Sequence, residues 1–494
     1  MRPAGRRGIG WPVNETQARN NPEGNMRKRL VAAAVRLVVG LGCVCVWSGC
    51  HRPLAVPAVG EAAGPWREAA AIVERVRPPR FPDRTFDITD YGAVADGRSD
   101  ATEAIRRAVE ACAAAGGGRV LVPAGEFLTG PIHLRSGVNL HVAEGAVLRF
   151  KTDPDAYLPP VQTRFEGMEC YNYSPLIYAL DQQNVAVTGR GVLDGQAGDD
   201  NWWAWKGGRN QPVGGPNQVA ARNRLVAQVA AGVPVGERRY GSGGYLRPSF
   251  IQFYRCRNVW IQGVRIRRSP MWNIHPVLCT NVLVEGVEVI SHGPNNDGCN
   301  PESCTDVVIE GCVFDTGDDC IAIKSGRNDD GRRIGVPSAN IVVRRCVMRD
   351  GHGGVVMGSE ISGGCRNVFV EDCQMDSPNL DRVLRFKSNA VRGGHIENVR
   401  MRNVKVGRVA DAVLQIDFLY EEGANGPHRP VLRHVRMENV EVAQARRVLD
   451  IRTFEGAEIT DVRLIRCRVR GVTQPDRVDG GDVRLVDCEV ERAR

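Results

Sequence analysis

Residues 258–266 read NVWIQGVRI and residues 281–289 read NVLVEGVEV. In each, a polar residue is followed by apolar residues at places two, four, seven and nine. The pattern returns as DVVIEGCVF at 306–314, NIVVRRCVM at 340–348 and NVFVEDCQM at 367–375. Weaker copies start at Asn398, His434, Asp461 and Asp482, and a partial copy starts at Asn184. From Asn258 onward, successive starts lie 21 to 36 residues apart. Alternating apolar and polar side chains mark a strand, and the break between places four and seven marks a bend. Each copy therefore describes two short strands meeting at a corner. No helical period fills the intervals, which argues against βαβ units. One coil of an all-β, single-stranded parallel β-helix per copy accounts for the pattern. A β-propeller asks for about 40–45 residues per blade, more than most of these intervals supply.

A solenoid grows by stacking. The 494 residues thus need only one body, although such a length ordinarily points to several domains. A hydrophobic fraction of 43% is enough for a core. No uncharged apolar run reaches the roughly 20 residues of a membrane-spanning helix. Upstream of the repeats, Asp100-Ala-Thr-Glu103 resembles a capping box. Ile105, Ala108, Val109 and Cys112 then form one helical face that Gly116-Gly117-Gly118 ends. This predicts an N-terminal helix covering the first coil, followed by early coils at Val120–Pro123 and Val138–Val142. Residues 196–248 are the longest insertion, and Trp202, Trp203 and Trp205 are concentrated there. They either stack on sugar rings or bury the insertion against the solenoid.

Place seven of the repeat is Val264, Val287, Cys312, Cys346, Cys373, Val404, Val440, Cys467 and Cys488. Cysteine exchanges with valine there, as a small core hydrophobe would. A second column holds Cys256, Cys279, Cys304 and Cys365. Nine of the sixteen cysteines are thus expected inside the coil, with room for a few disulfides between neighbouring coils. No CxxC pair or Cys/His spacing suits zinc, and no metal or cofactor is expected.

Four polar motifs fall between repeat copies on successive coils: Asn295-Asn296-Asp297-Gly298, Gly317-Asp318-Asp319-Cys320, Gly351-His352-Gly353 and Arg385-Phe386-Lys387. Asp318 and His352 each lie twelve residues after the start of their copies, which places them on one face. Arg385 and Lys387 would point the same way on a strand. Each motif alone reads as a turn or a solvated strand. Together they gather three acids, a histidine and two cations on one patch. Crowded carboxylates repel, so at least one should keep its proton near neutral pH and supply a general acid beside a base. The cation pair would hold an anionic group such as an acidic sugar. For Asp318 and Asp319 to share the site the backbone must turn between them, a task suited to Gly317.

In this order the four motifs resemble glycoside hydrolase family 28, the polygalacturonases. The flanks match too: Tyr91-Gly-Ala, Asp96-Gly, Ser269-Pro-Met-Trp-Asn-Ile-His275-Pro and Gly358-Ser-Glu-x-Ser-Gly-Gly. The resemblance covers about residues 85–490. It implies a right-handed parallel β-helix and inverting hydrolysis of galacturonic linkages. It implies Asp318 as general acid, Asp297 and Asp319 as the pair activating water, and His352 as the residue tuning the acid. Asn295, Arg385, Lys387 and Tyr420 would bind the substrate. Asn296 and Phe386 stand where Thr and Ile are frequent. An insertion beside the cleft leans toward exo-action. Rhamnogalacturonan and xylogalacturonan are alternative substrates. A β-helical lyase and a non-catalytic carbohydrate-binding protein are the rival functions.

At the N-terminus, residues 1–25 read as a polar extension or an upstream mis-start. Residues 26–50 read as a secretory signal: Arg27, Lys28 and Arg29 precede an apolar run that ends at Ser48-Gly49-Cys50. Its close resembles a lipobox, with Cys50 the acylated residue and membrane attachment through that lipid. Residues 51–84 read as a linker, and 85–494 as the β-helix domain. The expected location is outside the cytoplasm: periplasmic, at the cell surface, or secreted. The net charge of +8 suggests an anionic partner, but residues 1–49 carry +6 of it. An acidic polysaccharide fits Arg385 and Lys387, nucleic acid is not expected, and a monomer is.

Overall fold

The computed structural model describes residues 64–207 and 215–493. The extension 1–25, the signal segment with Cys50, and residues 51–63 of the linker lie outside the described residues. The architecture is a right-handed parallel β-helix. Among the described residues, two faces of the coil are sheets of thirteen parallel strands, and a third face is split into runs of four and six. The repeat maps onto this directly. In the copy from Asn258, strand Arg257–Gln262 lies on the first face and Arg265–Arg267 on the second. The next coil pairs with it in register, Val259 opposite Val282 and Ile266 opposite Val289.

Places two, four, seven and nine point inward. Val259, Ile261, Val264 and Ile266 are fully buried, and each such side chain removed from water contributes roughly 1.5–3 kcal/mol. The thirteen described cysteines are all free thiols, and all but Cys488 are fully buried. They are core residues. Burial pushes the Cys112 thiol up to about 11.

Place one has a role that alternation alone does not reveal. Asn258, Asn281, Asn340, Asn367 and Asn398 all adopt φ between 53° and 59°. Asparagine tolerates this left-handed conformation better than most residues. Their side-chain amides form a ladder along the coil. Asn258 donates to Asn184 at 2.7 Å, Asn281 to Asn258 at 2.8 Å, and Asn367 to Asn340 at 3.0 Å.

Helix α1 (Pro65–Arg75) occupies part of the segment expected to be a linker. Ala69 and Ile72 pack with Val308, Val342 and Phe369, which stand at place three of their copies and face outward. The helix thus covers an apolar stripe on the first face. Helix α2 (Thr102–Ala114) is the expected cap, with Ile105, Ala108, Val109 and Cys112 buried. The capping box does not form. Asp100 accepts from the Thr102 backbone at 3.0 Å, and Glu103 pairs with Arg106 instead. Two helices interrupt the expected helix-free intervals: α3 (Val219–Ala230) in the long insertion and α4 (Asn328–Ile334) between two copies. The short α4 is held by tertiary contacts, with Asp330 paired to Arg238 at 2.9 Å.

Candidate active site

The four motifs meet where the third face is interrupted. Around residues 292–304 the face is carried only by isolated bridges, Cys299 to Ile274 and Ile321, and Glu302 to Val277 and Lys324. Asp297 sits on this irregular coil. Its carbonyl accepts from the backbone and the amide of Asn273, both at 2.9 Å. Asn296 turns inward instead of toward the cleft. Its amide donates to the Ser269 and Met271 carbonyls at 3.1 and 3.0 Å, and its oxygen accepts from Ser291 and Gly293 at 2.6 and 2.9 Å.

One coil further on, Asp318 and Asp319 precede strand Ile321–Ile323. The backbone is held there by Thr316, whose hydroxyl donates to the Asp318 carbonyl at 2.8 Å, and Asp319 N donates to Asp318 Oδ1 at 2.9 Å. Gly317 is required for close approach, not for a left-handed turn. A Cβ there would lie 2.6 Å from the Gly293 carbonyl. Asp318 faces the cleft with its side chain 18% exposed, and His352 Nδ1 stands 3.0 Å from its Oδ1. Asp297 and Asp319 lie deeper. Oxygens of all three acids lie within 4.8 Å of one another.

Arg385 and Lys387 stand on strand Arg382–Lys387 and point to the cleft, while Leu384 and Phe386 fill the core. Lys387 Nζ donates to Asp319 Oδ2 at 2.6 Å, and Arg385 lies 3.6 Å from Oδ1. Tyr420 completes this group, its ring centre 5.8 Å from the Arg385 guanidinium and 5.4 Å from Lys387 Nζ. Burial pushes its hydroxyl well above the ordinary value. Asn295 sits at the edge, accepting from Arg247 at 2.7 Å.

The site also contains residues that sequence reasoning missed. Lys324 is buried 3.6 Å from Asp297 Oδ2, bonded to Glu360 at 2.9 Å, and stacked 4.5 Å over Trp272. Its signal was present: Ile323-Lys324 alternates as Phe386-Lys387 does. Asn300 donates to Asp297 at 2.7 Å.

Charge in the cluster is unevenly shared. Burial, then the Asp318 charge, pushes Asp297 up to about 7 against the pull of Lys324. Burial alone would raise Asp318 as well. The hydrogen bond and charge of His352, with Lys387 and Lys324, instead hold it well below the ordinary range. That hydrogen bond, with the Asp318 charge, raises His352 to about 9. The carboxyl that keeps its proton near neutral pH is therefore Asp297 in the resting cluster, and Asp318 is ionised beside an imidazolium. By spacing, the three acids could hold a cation, but Lys324, Lys387 and Arg385 already face them.

The tryptophans of the insertion anchor it. Trp202 and Trp205 pack edge-on to each other at 4.7 Å and against Tyr157, Tyr173 and Tyr245. Trp203 donates to the Ser269 carbonyl at 2.9 Å and covers Gly293. None of the three is a free stacking platform. Their neighbours place the insertion beside the loop that carries Asp297.

Fold and site together define a parallel β-helix protein with a carboxylate-centred cleft flanked by fixed cations. The family model for glycosyl hydrolases family 28 matches residues 237–469, and one for rhamnogalacturonase A/epimerase, pectate lyase-like proteins matches residues 85–146. The crystal structure of a hyperthermoactive exopolygalacturonase from Thermotoga maritima is 44% identical with a TM-score of 0.84, covering 86% of this chain and 96% of that one. A probable polygalacturonase of Vitis vinifera is 30% identical over 64% of this chain and 60% of its own. An exo-poly-alpha-D-galacturonosidase of Dickeya chrysanthemi is 28% identical over 69% and 58%. The chain thus spans about three fifths of the length of these two curated relatives. It belongs to glycosyl hydrolase family 28.

Proposed function

We propose that the chain hydrolyses α-1,4-galacturonosyl linkages in pectin and releases sugar from chain ends. The observation that carries this reading is the pairing of Lys387 and Arg385 with Asp319 beside two further acids. Glycoside hydrolysis needs an acid and a base across the bond, and the cations supply a seat for a uronate carboxylate.

Asp319, bonded by Lys387, is the base toward water. Its Oδ1 is buried and accepts no hydrogen bond from the protein. Asp318 is the general acid because it alone of the three reaches the cleft. It must gain a proton first. A substrate carboxylate paired with Arg385 and Lys387 offsets the Lys387 field that depresses Asp318, and Asp297 can pass on its proton while Lys324 stabilises the carboxylate left behind. His352 fixes Asp318 throughout.

The spacing of the acids is shorter than the ~6.5–9.5 Å usual for inverting pairs. Inversion rests on the resemblance and is checked by the anomer first formed, read by NMR. Asp318→Asn should lower turnover of polygalacturonate about 10²–10⁴-fold with the fold unchanged, and near-normal turnover would refute the assignment. An ultraviolet-absorbing unsaturated product would decide for a lyase, and binding without new reducing ends for a carbohydrate-binding protein. Faster release from rhamnogalacturonan would move the substrate, a reading favoured by the model match at residues 85–146. The segment from Met26 to Cys50 supports export with a lipid at Cys50, and labelled-lipid incorporation lost in Cys50→Ala is its check. We read the exported chain as a monomer, which light scattering tests.

A further inference from the structure

The long insertion touches the catalytic loop through Trp203, which covers Gly293, and is hydrogen-bonded to it through Arg247. Arg247, near the end of the insertion, is 1% exposed. Its Nε donates to Gln218 Oε1, at the start of helix α3, at 3.1 Å. One terminal nitrogen donates to the carbonyls of Pro270 and Pro294 at 3.0 and 2.7 Å. The other donates to Asn295 Oδ1 at 2.7 Å. Every partner is neutral. Among the described residues, no carboxylate lies within ion-pair distance of it. Burial lowers its affinity for the proton, to about 10. An unpaired buried charge is costly to keep, and burying this one only ties together three pieces of chain: the insertion, loop 269–273 and loop 293–297.

We infer that Arg247 is a positioning residue for Asp297, through which the insertion becomes part of the catalytic apparatus. The planar fork reaches four acceptors in fixed directions, which a lysine ammonium on a flexible stem does not reproduce. Asn296 laces the same two loops from within, bonding Ser269 and Met271. Arg247 closes them from the insertion side through Asn295, two residues before Asp297 along the chain. Sub-ångström placement of a catalytic carboxylate governs the chemical step more than binding, so the effect belongs in kcat.

The inference rests on the hydrolase reading, and its test separates the two. Arg247→Met and Arg247→Lys are compared with the parent chain, using trigalacturonate turnover and hydrogen–deuterium exchange over residues 293–298. Both variants are expected to lose about 30-fold or more in kcat with KM within threefold, and to exchange faster over that loop. Gln218→Ala, which cuts only the insertion side, is expected to fall between them and the parent. Full recovery by lysine, or unchanged loop exchange in a folded Arg247→Met, overturns the positioning role. If the parent chain does not turn over galacturonate, the hydrolase reading falls, and loop exchange alone decides on Arg247.

Discussion

Asp297 shows how a single residue can trade stability for chemistry. In the folded protein it keeps its proton up to about pH 7, against an ordinary 3.8. Between those values the folded state binds more protons than the unfolded chain, so this group's contribution falls as pH rises and is lowest above about 7. Asp297→Asn removes the buried charge while its neighbour Asn300 keeps an oxygen to bond. The variant should be inactive yet gain on the order of 1 kcal/mol at pH 8, with no gain near pH 3.5. Thermal melts at both pH values check this, and a lower melting temperature at pH 8 would show that the charge is satisfied in the fold. The acids, His352, Arg385 and Lys387 were readable because each lies in a short polar motif that breaks an apolar repeat. Lys324 showed only the Ile323-Lys324 alternation, and Arg247 stood as a lone cation in its stretch. Only packing reveals that one faces Asp297 and the other bridges two loops. Nor could spacing say which acid holds the proton, since that depends on His352 and Lys387 from other coils.

At the scale of the element, the repeat was legible in its inward places and opaque in its outward ones. Places two, four, seven and nine follow from alternation alone. Place three becomes apolar at Val308, Val342 and Phe369, where α1 covers the sheet. A strand apolar on both faces signals a covered sheet, and this was the clue that the supposed linker hides a helix. The short α4 escaped because ion pairs, not an amphipathic period, hold it. Place one carries the asparagine ladder, whose role combines a backbone constraint with a hydrogen bond. Asn340 tests the two apart. It has φ of 59°, donates to Asp306 at 3.0 Å and accepts from Asn367 at 3.0 Å. Asn340→Gly keeps the conformation and loses the bonds, at a cost of about 1 kcal/mol. Asn340→Ala loses both and should cost roughly 1 kcal/mol more. Urea midpoints measure the difference, and an alanine variant no weaker than the glycine variant would remove the conformational half of the account.

For the whole molecule, length and charge were the least informative features and the insertion the most consequential. Stacked coils make a long open groove, and such a groove by itself admits the middle of a polymer. Here the insertion stands at the Asp297 side. It is fixed by the Trp202 and Trp205 aromatic cluster and by Arg222, which pairs with Glu166 at 2.6 Å. Glu166 also meets Arg327 at 3.2 Å, so helix α3 is bound to the loops beyond the third face. On the proposed reading, a groove walled at one side takes substrate by its end, and each turnover would free one terminal sugar. Chromatography of polygalacturonate digests at early times should show the monomer alone, with mean polymer length falling slowly. Arg222→Met, which loosens α3 without touching the acids, should add short oligomers to the products while reducing-end release continues. A ladder of oligomers from the parent chain would mean that the insertion leaves the groove open at both ends. The wall would then serve to hold the Asp297 loop and not to select chain ends.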